Sequence, residues 1–284
     1  MKKTPRESRY VRVARIAYQM TQSALPRYTH KKSPHRFTFP QLAACVLMTF
    51  YLDISYRDME EWLMATDQVR KELELKEVPN FSTLSRAAKR LKTSDLTRMR
   101  DELLKQAGVD EDAMVADSTG FTPSQASSYY VSRTGKPIQE FIKGLYVMGL
   151  RTRFIVGWAS TRKRGIDSPH LASLRRQAAG YGHHSHGRTS WVLLADTGFD
   201  GPRTLPGDLI PAARKGNGPM SSIRRERAEL VDAARLDGFF GQRWQVETLM
   251  SVIKRKFGDT VRSRLPALQI RETYFKGLVY NIHV

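Results

Sequence analysis

The sequence predicts an α/β chain of the α+β kind: a helical domain followed by a domain built on a mixed sheet. Three observations predict it. Up to about residue 108, apolar residues recur at helical spacing and helix-capping signals follow one another closely. From about Asp112 the pattern changes to short apolar runs that break at glycine, as strands do. Two of those runs, Ala113–Asp117 and Trp191–Asp196, end alike in an aspartate followed within four residues by glycine and phenylalanine. At 284 residues the chain can bury a main core and a smaller one.

The segment Met1–Lys32 is basic and irregular, and reads as a flexible phosphate-binding arm or as disordered chain. Thr38 is an N-cap and Pro40 sits in the first turn of a helix running to about Leu52. Ser55-Tyr-Arg-Asp58 has the capping-box pattern, with Asp in place of Glu, opening a helix through Trp62 and Leu63. Val78-Pro-Asn-Phe81 is a turn, and Ser82 caps a helix ending near Leu91. That helix turns Leu84, Ala87, Ala88 and Leu91 inward and Ser85, Arg86, Lys89, Arg90 and Lys92 outward. A short helix, a turn and a helix with a basic outer face resembles a helix-turn-helix, with Arg86, Lys89 and Arg90 set against DNA. A plain helical bundle with a solvated surface has the same pattern.

Beyond residue 108, strands are expected at Ala113–Asp117, Ile142–Gly149 and Phe154–Ala159, the last two joined by a tight turn around Arg151-Thr-Arg153. A helix over His170–Ala178, a Gly/His loop and the strand Trp191–Asp196 follow. Leu209-Ile-Pro-Ala is a fifth short strand. A basic loop from Arg214 leads into a helix over Ser222–Ala234. Helices over Phe240–Phe257 and Leu265–Ile282 close the chain.

The most informative stretch is Phe240-Gly-Gln-Arg243-Trp-Gln-Val-Glu247, followed seven residues on by Lys254. At 3.6 residues per turn, Arg243, Glu247 and Lys254 project within a narrow arc of one helix face. A carboxylate between two cations suits an enzyme that holds a divalent ion against a phosphodiester backbone. A solvated face with i,i+4 pairs would look the same. Upstream, Asp117 and Asp196 each stand at the carboxyl end of a strand, the edge where open α/β sheets place ligands. Two strand-end aspartates and a helix-borne glutamate make a three-carboxylate constellation.

With these residues the chain resembles the insertion-sequence DDE transposases, whose glutamate sits in a Tyr-x2-Arg-x3-Glu-x6-Lys signature. Arg243, Glu247 and Lys254 match it in spacing, while Phe240 replaces the tyrosine, keeping the ring and losing the hydroxyl. Asp117-Ser-Thr-Gly-Phe121, Ile142–Leu150, Asp167-Ser-Pro169 and Ala195–Asp200 resemble further family segments, so the likeness spans roughly residues 110 to 280. The short chain is most similar to the group named after insertion sequence five, within the insertion sequence five and four superfamily.

The resemblance implies a ribonuclease-H-like catalytic domain over 109–284, with a short basic insertion at about 213–238, behind a helical DNA-binding domain over 1–108. It implies Asp117, Asp196 and Glu247 as catalytic and metal-binding residues holding two Mg2+ or Mn2+ ions, with Arg243 and Lys254 on phosphates. The activity implied is metal-dependent strand cleavage and strand transfer. The partners implied are transposon-end and target DNA, bound by a homodimer in the nucleoid of a prokaryotic cytoplasm, with no small-molecule cofactor. A non-catalytic DNA-binding regulator, a decayed transposase and a DDE-type nuclease without strand transfer are the alternatives.

Composition agrees. Lys and Arg number 47 against 28 Asp and Glu, a formal charge of +19, which fits a polyanion partner. The single cysteine, Cys45, excludes an internal disulfide and a multi-cysteine zinc site, and reads as a small buried hydrophobe. No stretch is apolar for long enough to span a bilayer, and the amino terminus lacks the apolar core of a secretory signal. His183-His184-Ser-His186 reads as a solvent loop rather than a metal site. Asp167, Asp200 and Glu140 are rival carboxylates, with Asp200 suited to shaping its turn; Glu111 and Asp112 are expected to face solvent.

Overall fold

A computed structural model describes residues 7–30, 32, 35–123, 133, 135, 141–185, 188–213 and 220–284. The chain is mixed helix and strand, and divides into two compact units. The first comprises Met1–Ala107, Lys256–Gly258 and Leu278–Val284; the second comprises Gly108–Arg255 and Asp259–Gly277. The first unit is therefore not contiguous in sequence.

In the first unit, helices α1 (Arg9–Ala24), α2 (Phe39–Leu52), α3 (Tyr56–Ala65), α4 (Asp67–Glu72), α5 (Phe81–Arg90) and α6 (Thr93–Gln106) follow one another. The middle of α2 is buried on every side, from Phe39 through Thr49, so it forms the centre of the unit. Thr38 caps its start as expected, and Gln41 completes a capping box: the Gln41 amide donates to Thr38 Oγ1 at 3.3 Å and the Thr38 amide to Gln41 Oε1 at 2.9 Å. Ser55 and Asp58 cap α3 in the same way. Cys45 is fully buried, which pushes its thiol up to about 12.

Three expectations for this unit are corrected. Arg9–Ala24 is a helix, not an irregular arm, because Val11, Ala14, Ala17, Tyr18 and Thr21 make a buried stripe behind the surface arginines. Asn80, not Ser82, caps α5: its side chain accepts from the Ser82 amide at 3.0 Å, and Glu60 of α3 accepts from the Phe81 amide at 2.8 Å. The short helix α4 also intervenes between α3 and the turn before α5.

The second unit carries a five-stranded sheet with strands β1 (Ala113–Pro123), β2 (Ile142–Gly149), β3 (Ile155–Thr161), β6 (Val192–Ala195) and β7 (Thr260–Val261). The main path runs β3-β2-β1-β6, and β7 pairs with the far end of β1. β1, β2 and β3 are antiparallel neighbours, while β6 lies parallel to β1. Its helices are α7 (Ser168–Ala178), α8 (Ser222–Leu236), most of α9 (Trp244–Phe257) and most of α10 (Pro266–His283). Gln177 of α7 fastens that helix to β3, donating to the Trp158 carbonyl at 2.9 Å. The Tyr146 hydroxyl donates to the Thr273 carbonyl of α10 at 2.8 Å. Gly277 allows that approach, since a Cβ there would stand 3.0 Å from the Tyr146 ring.

β1 continues past Asp117 to Pro123 because Ser118–Phe121 still pair with β2. Leu209 makes only an isolated parallel bridge to Leu194, since Pro211 has no amide to extend it. The Gly/His segment holds a two-residue hairpin, β4 (His184–Ser185) with β5 (Arg188–Thr189), rather than an irregular loop. Glu111 is fully buried instead of solvent-facing, and accepts from the Arg151 and Thr152 amides at 2.9 Å each. Gly149 leaves room for it, because a Cβ there would lie 2.3 Å from that carboxyl. Asp112 is exposed, as expected. Among the described residues, no helix is long and apolar enough to cross a membrane.

Candidate active site

The parallel pairing of β1 with β6 sets Ala116 opposite Ala195, so the next residue on each chain is an aspartate. Asp117 lies within β1 and Asp196 just where β6 stops, which brings two carboxylates to one level of the sheet. The Ser118 amide donates to Asp117 Oδ1 at 2.7 Å. The Gly198 amide donates to Asp196 Oδ1 at 3.0 Å, so Asp196 caps the short 3-10 turn Thr197–Phe199.

Burial pushes the Asp117 carboxyl above its ordinary range. The Ser118 hydrogen bond and the Arg243 charge pull it down, while the charges of Asp196 and Glu247 push it further up. Asp117 thus lies within electrostatic reach of both other predicted carboxylates and of the signature arginine. Arg243 ends a 3-10 turn, Phe240–Arg243, so the α-helix proper starts one residue after it. Arg243 donates to Glu247 Oε1 at 3.1 Å across that junction. The Glu247 side chain is 58% exposed and its reach is spent on this pair. Lys254 sits half-buried two turns further along α9.

Among the described residues, no three His, Cys, Asp or Glu side chains stand close enough together to hold a metal ion. The donor set nonetheless suits a hard divalent cation: Asp117 is a partly buried carboxylate whose charge two neighbouring carboxylates disfavour.

The structure adds residues that sequence reasoning did not place in the site. Asp167 is 6% exposed; its Oδ2 accepts from Ser118 Oγ at 2.8 Å and its Oδ1 pairs with Lys143 Nζ at 2.6 Å. A lone lysine in the otherwise apolar strand Ile142–Gly149 was the available signal. Of the other rivals, Asp200 turns its side chain away from its own turn: it accepts from the Ala213 amide at 2.9 Å and pairs with Arg224 and the buried Arg227. His183 pairs with Asp110 at 2.9 Å, which raises its pKa. Glu140, His186 and the basic loop over 214–219 lie outside the described residues.

In the helical unit, Arg86, Lys89 and Arg90 are exposed on α5, while Leu84, Ala87, Ala88 and Leu91 are buried. The three basic residues border a cavity of about 590 Å³ whose other walls include Tyr28, Phe37 and Phe39. No protein-family model matches the chain, and no curated protein matches it in sequence.

Proposed function

We propose that the chain is an insertion-sequence DDE transposase that cuts DNA at transposon ends and joins the freed end to target DNA. The observation that carries this reading is the meeting of Asp117 and Asp196 on adjacent parallel strands, with Glu247 and Arg243 in electrostatic reach of Asp117. Sheet order β3-β2-β1-β6, antiparallel except at β6, supports a ribonuclease-H-like domain. The basic outer face of α5 supports DNA binding by the helical unit, and the formal charge of +19 supports a polyanion partner.

In this reading Asp117, Asp196 and Glu247 hold the divalent ions. Bound there, divalent ions would supply activation of the attacking oxygen and stabilisation of the leaving one. Arg243, which pairs with Glu247 at 3.1 Å, would offer its charge to a phosphate oxygen. Lys254 adds a second positive charge along the same backbone. Phe240 contributes a ring but no hydroxyl contact to phosphate.

The test uses the full chain and DNA carrying the terminal sequences that flank its gene. Mg2+-dependent end cleavage and strand joining are expected, and Asp117→Ala, Asp196→Ala and Glu247→Ala should each abolish both while leaving end binding intact. Cleavage without joining would identify a nuclease, binding without cleavage a regulator or decayed enzyme. Full cleavage by Asp196→Ala would remove that residue from the site.

A further inference from the structure

We infer that Asp167 is a positioning residue that clamps both strand-end aspartates in place, with Lys143 neutralising its charge. The inference rests on the transposase reading for its purpose but on hydrogen-bond geometry for its existence.

Asp167 stands at the N-cap of α7, where an aspartate ordinarily accepts from the first amides of its own helix. Here the side chain makes no such bond. It reaches across to β1 instead, where Oδ2 accepts from Ser118 Oγ at 2.8 Å. The amide of that same Ser118 holds Asp117 Oδ1 at 2.7 Å. On the other side, the Asp167 amide donates to the Gly198 carbonyl at 3.1 Å, and the Gly198 amide holds Asp196 Oδ1 at 3.0 Å. One residue therefore reaches both candidate ligands through a single intermediary each.

Both oxygens of its own carboxylate already have partners. Oδ2 serves Ser118, and Oδ1 is paired at 2.6 Å with Lys143 Nζ, which also donates to the Gly165 carbonyl at 2.9 Å. The lysine has a second effect. A third uncompensated carboxylate beside Asp117 and Asp196 would repel both, and Lys143 cancels that charge where it arises. The side chain gives up its helix cap to hold Ser118 and through it Asp117, while the main-chain amide of the same residue holds Gly198 and through it Asp196, the part that residues behind metal ligands play.

The experiment reads the clamp without needing activity. Amide hydrogen exchange is followed in the full-length chain for wild type, Asp167→Ala and Ser118→Ala. Asp167→Ala should speed exchange at Ser118 by about tenfold or more, since the charge-assisted hydrogen bond to its hydroxyl is lost, and should leave Gly198, held by the main-chain amide of residue 167, unchanged. Ser118→Ala is half-buried and milder, and should affect the amide of residue 118 while sparing Gly198. Mn2+ binding, followed by the electron-spin signal of the free ion with end DNA present, should weaken by about tenfold to a hundredfold in Asp167→Ala. Asp167→Asn, which keeps an acceptor for Ser118, should recover part of that loss. Unchanged exchange at Ser118 overturns the clamp, as does faster exchange spread evenly over the whole unit. Local exchange that rises as expected in a protein that neither binds Mn2+ nor cuts DNA upholds the clamp and overturns the transposase reading.

Discussion

Removing the Asp200 carboxylate should destabilise the chain severely while touching no predicted ligand. Asp200 and Arg227 are 1% and 3% exposed in their side chains, so their attraction acts with little screening. Asp200→Ala would leave the Arg227 guanidinium buried without its counter-charge and free the Ala213 amide from its 2.9 Å bond. Arg224, 26% exposed, can turn to water and contributes little to the loss. Breaking a buried pair from one side costs about 3–5 kcal/mol, a large part of the about 5–15 kcal/mol that holds a domain together. With a urea slope of about 3 kcal/mol per molar, the unfolding midpoint should fall by about 1 M or more. The assay is urea unfolding followed by circular dichroism, with two further variants. Asp200→Ala/Arg227→Met should recover most of the loss, because an apolar pair of similar volume is often no worse than a buried ion pair. Asp232→Ala, whose exposed side chain pairs with exposed Arg235, should move the midpoint hardly at all. A shift for Asp200→Ala no larger than that of Asp232→Ala, or a double variant no better than the single, would refute the reasoning.

Arg243→Ala and Lys254→Ala should slow cleavage and joining far more than they weaken binding, each changing the salt slope of affinity by about one unit. Unchanged cleavage in both variants would return this face to solvated surface. Arg86→Ala and Arg90→Ala in the full chain should weaken binding to end DNA and relax base discrimination, and equal wild-type affinity for ends and random DNA would sink the α5 reading. A further prediction concerns pH. The raised carboxyl of Asp117 means the folded chain holds that proton more tightly than the unfolded one, so stability is lost as pH rises through the folded-state value. In metal-free buffer Asp117→Asn should therefore exceed wild type in stability at pH 7, with the difference shrinking as pH falls through the carboxylate range. A thermal-unfolding series showing the opposite trend would contradict it.

What could be read from the sequence followed the strength of local signals. Thr38 and Ser55 announce α2 and α3 because capping is settled within four residues. Asp117 and Asp196 could be paired before any fold was known, since each ends a buried run and a glycine soon follows. The helix Arg9–Ala24 was hidden by its arginines, whose charge masked a stripe that α2 completes. Glu111 was misread because its partners, the amides of Arg151 and Thr152, lie forty residues on in a turn. Asp167 escaped for a related reason. Its position before a helix says cap, and only the approach of β1 reveals that its carboxylate is used elsewhere.

The helical unit is finished by residues that the ribosome makes late. Leu278, Val279, Tyr280 and Ile282 are buried within it, and the Tyr51 ring lies 5.7 Å from Phe257 and 6.1 Å from His283. A growing chain therefore carries helices α1 to α6 without the side chains of Leu278–Ile282 until the second unit has been translated. Chaperones would meet the chain in that state, and a fragment cut near residue 108 would stay in it permanently. A gene fusion or truncation meant to borrow the helical unit alone would have to graft the Leu278–Val284 turns back onto it. Vectorial synthesis thus ties completion of the unit that carries Arg86, Lys89 and Arg90 to completion of the unit that carries Asp117, Asp196 and Glu247.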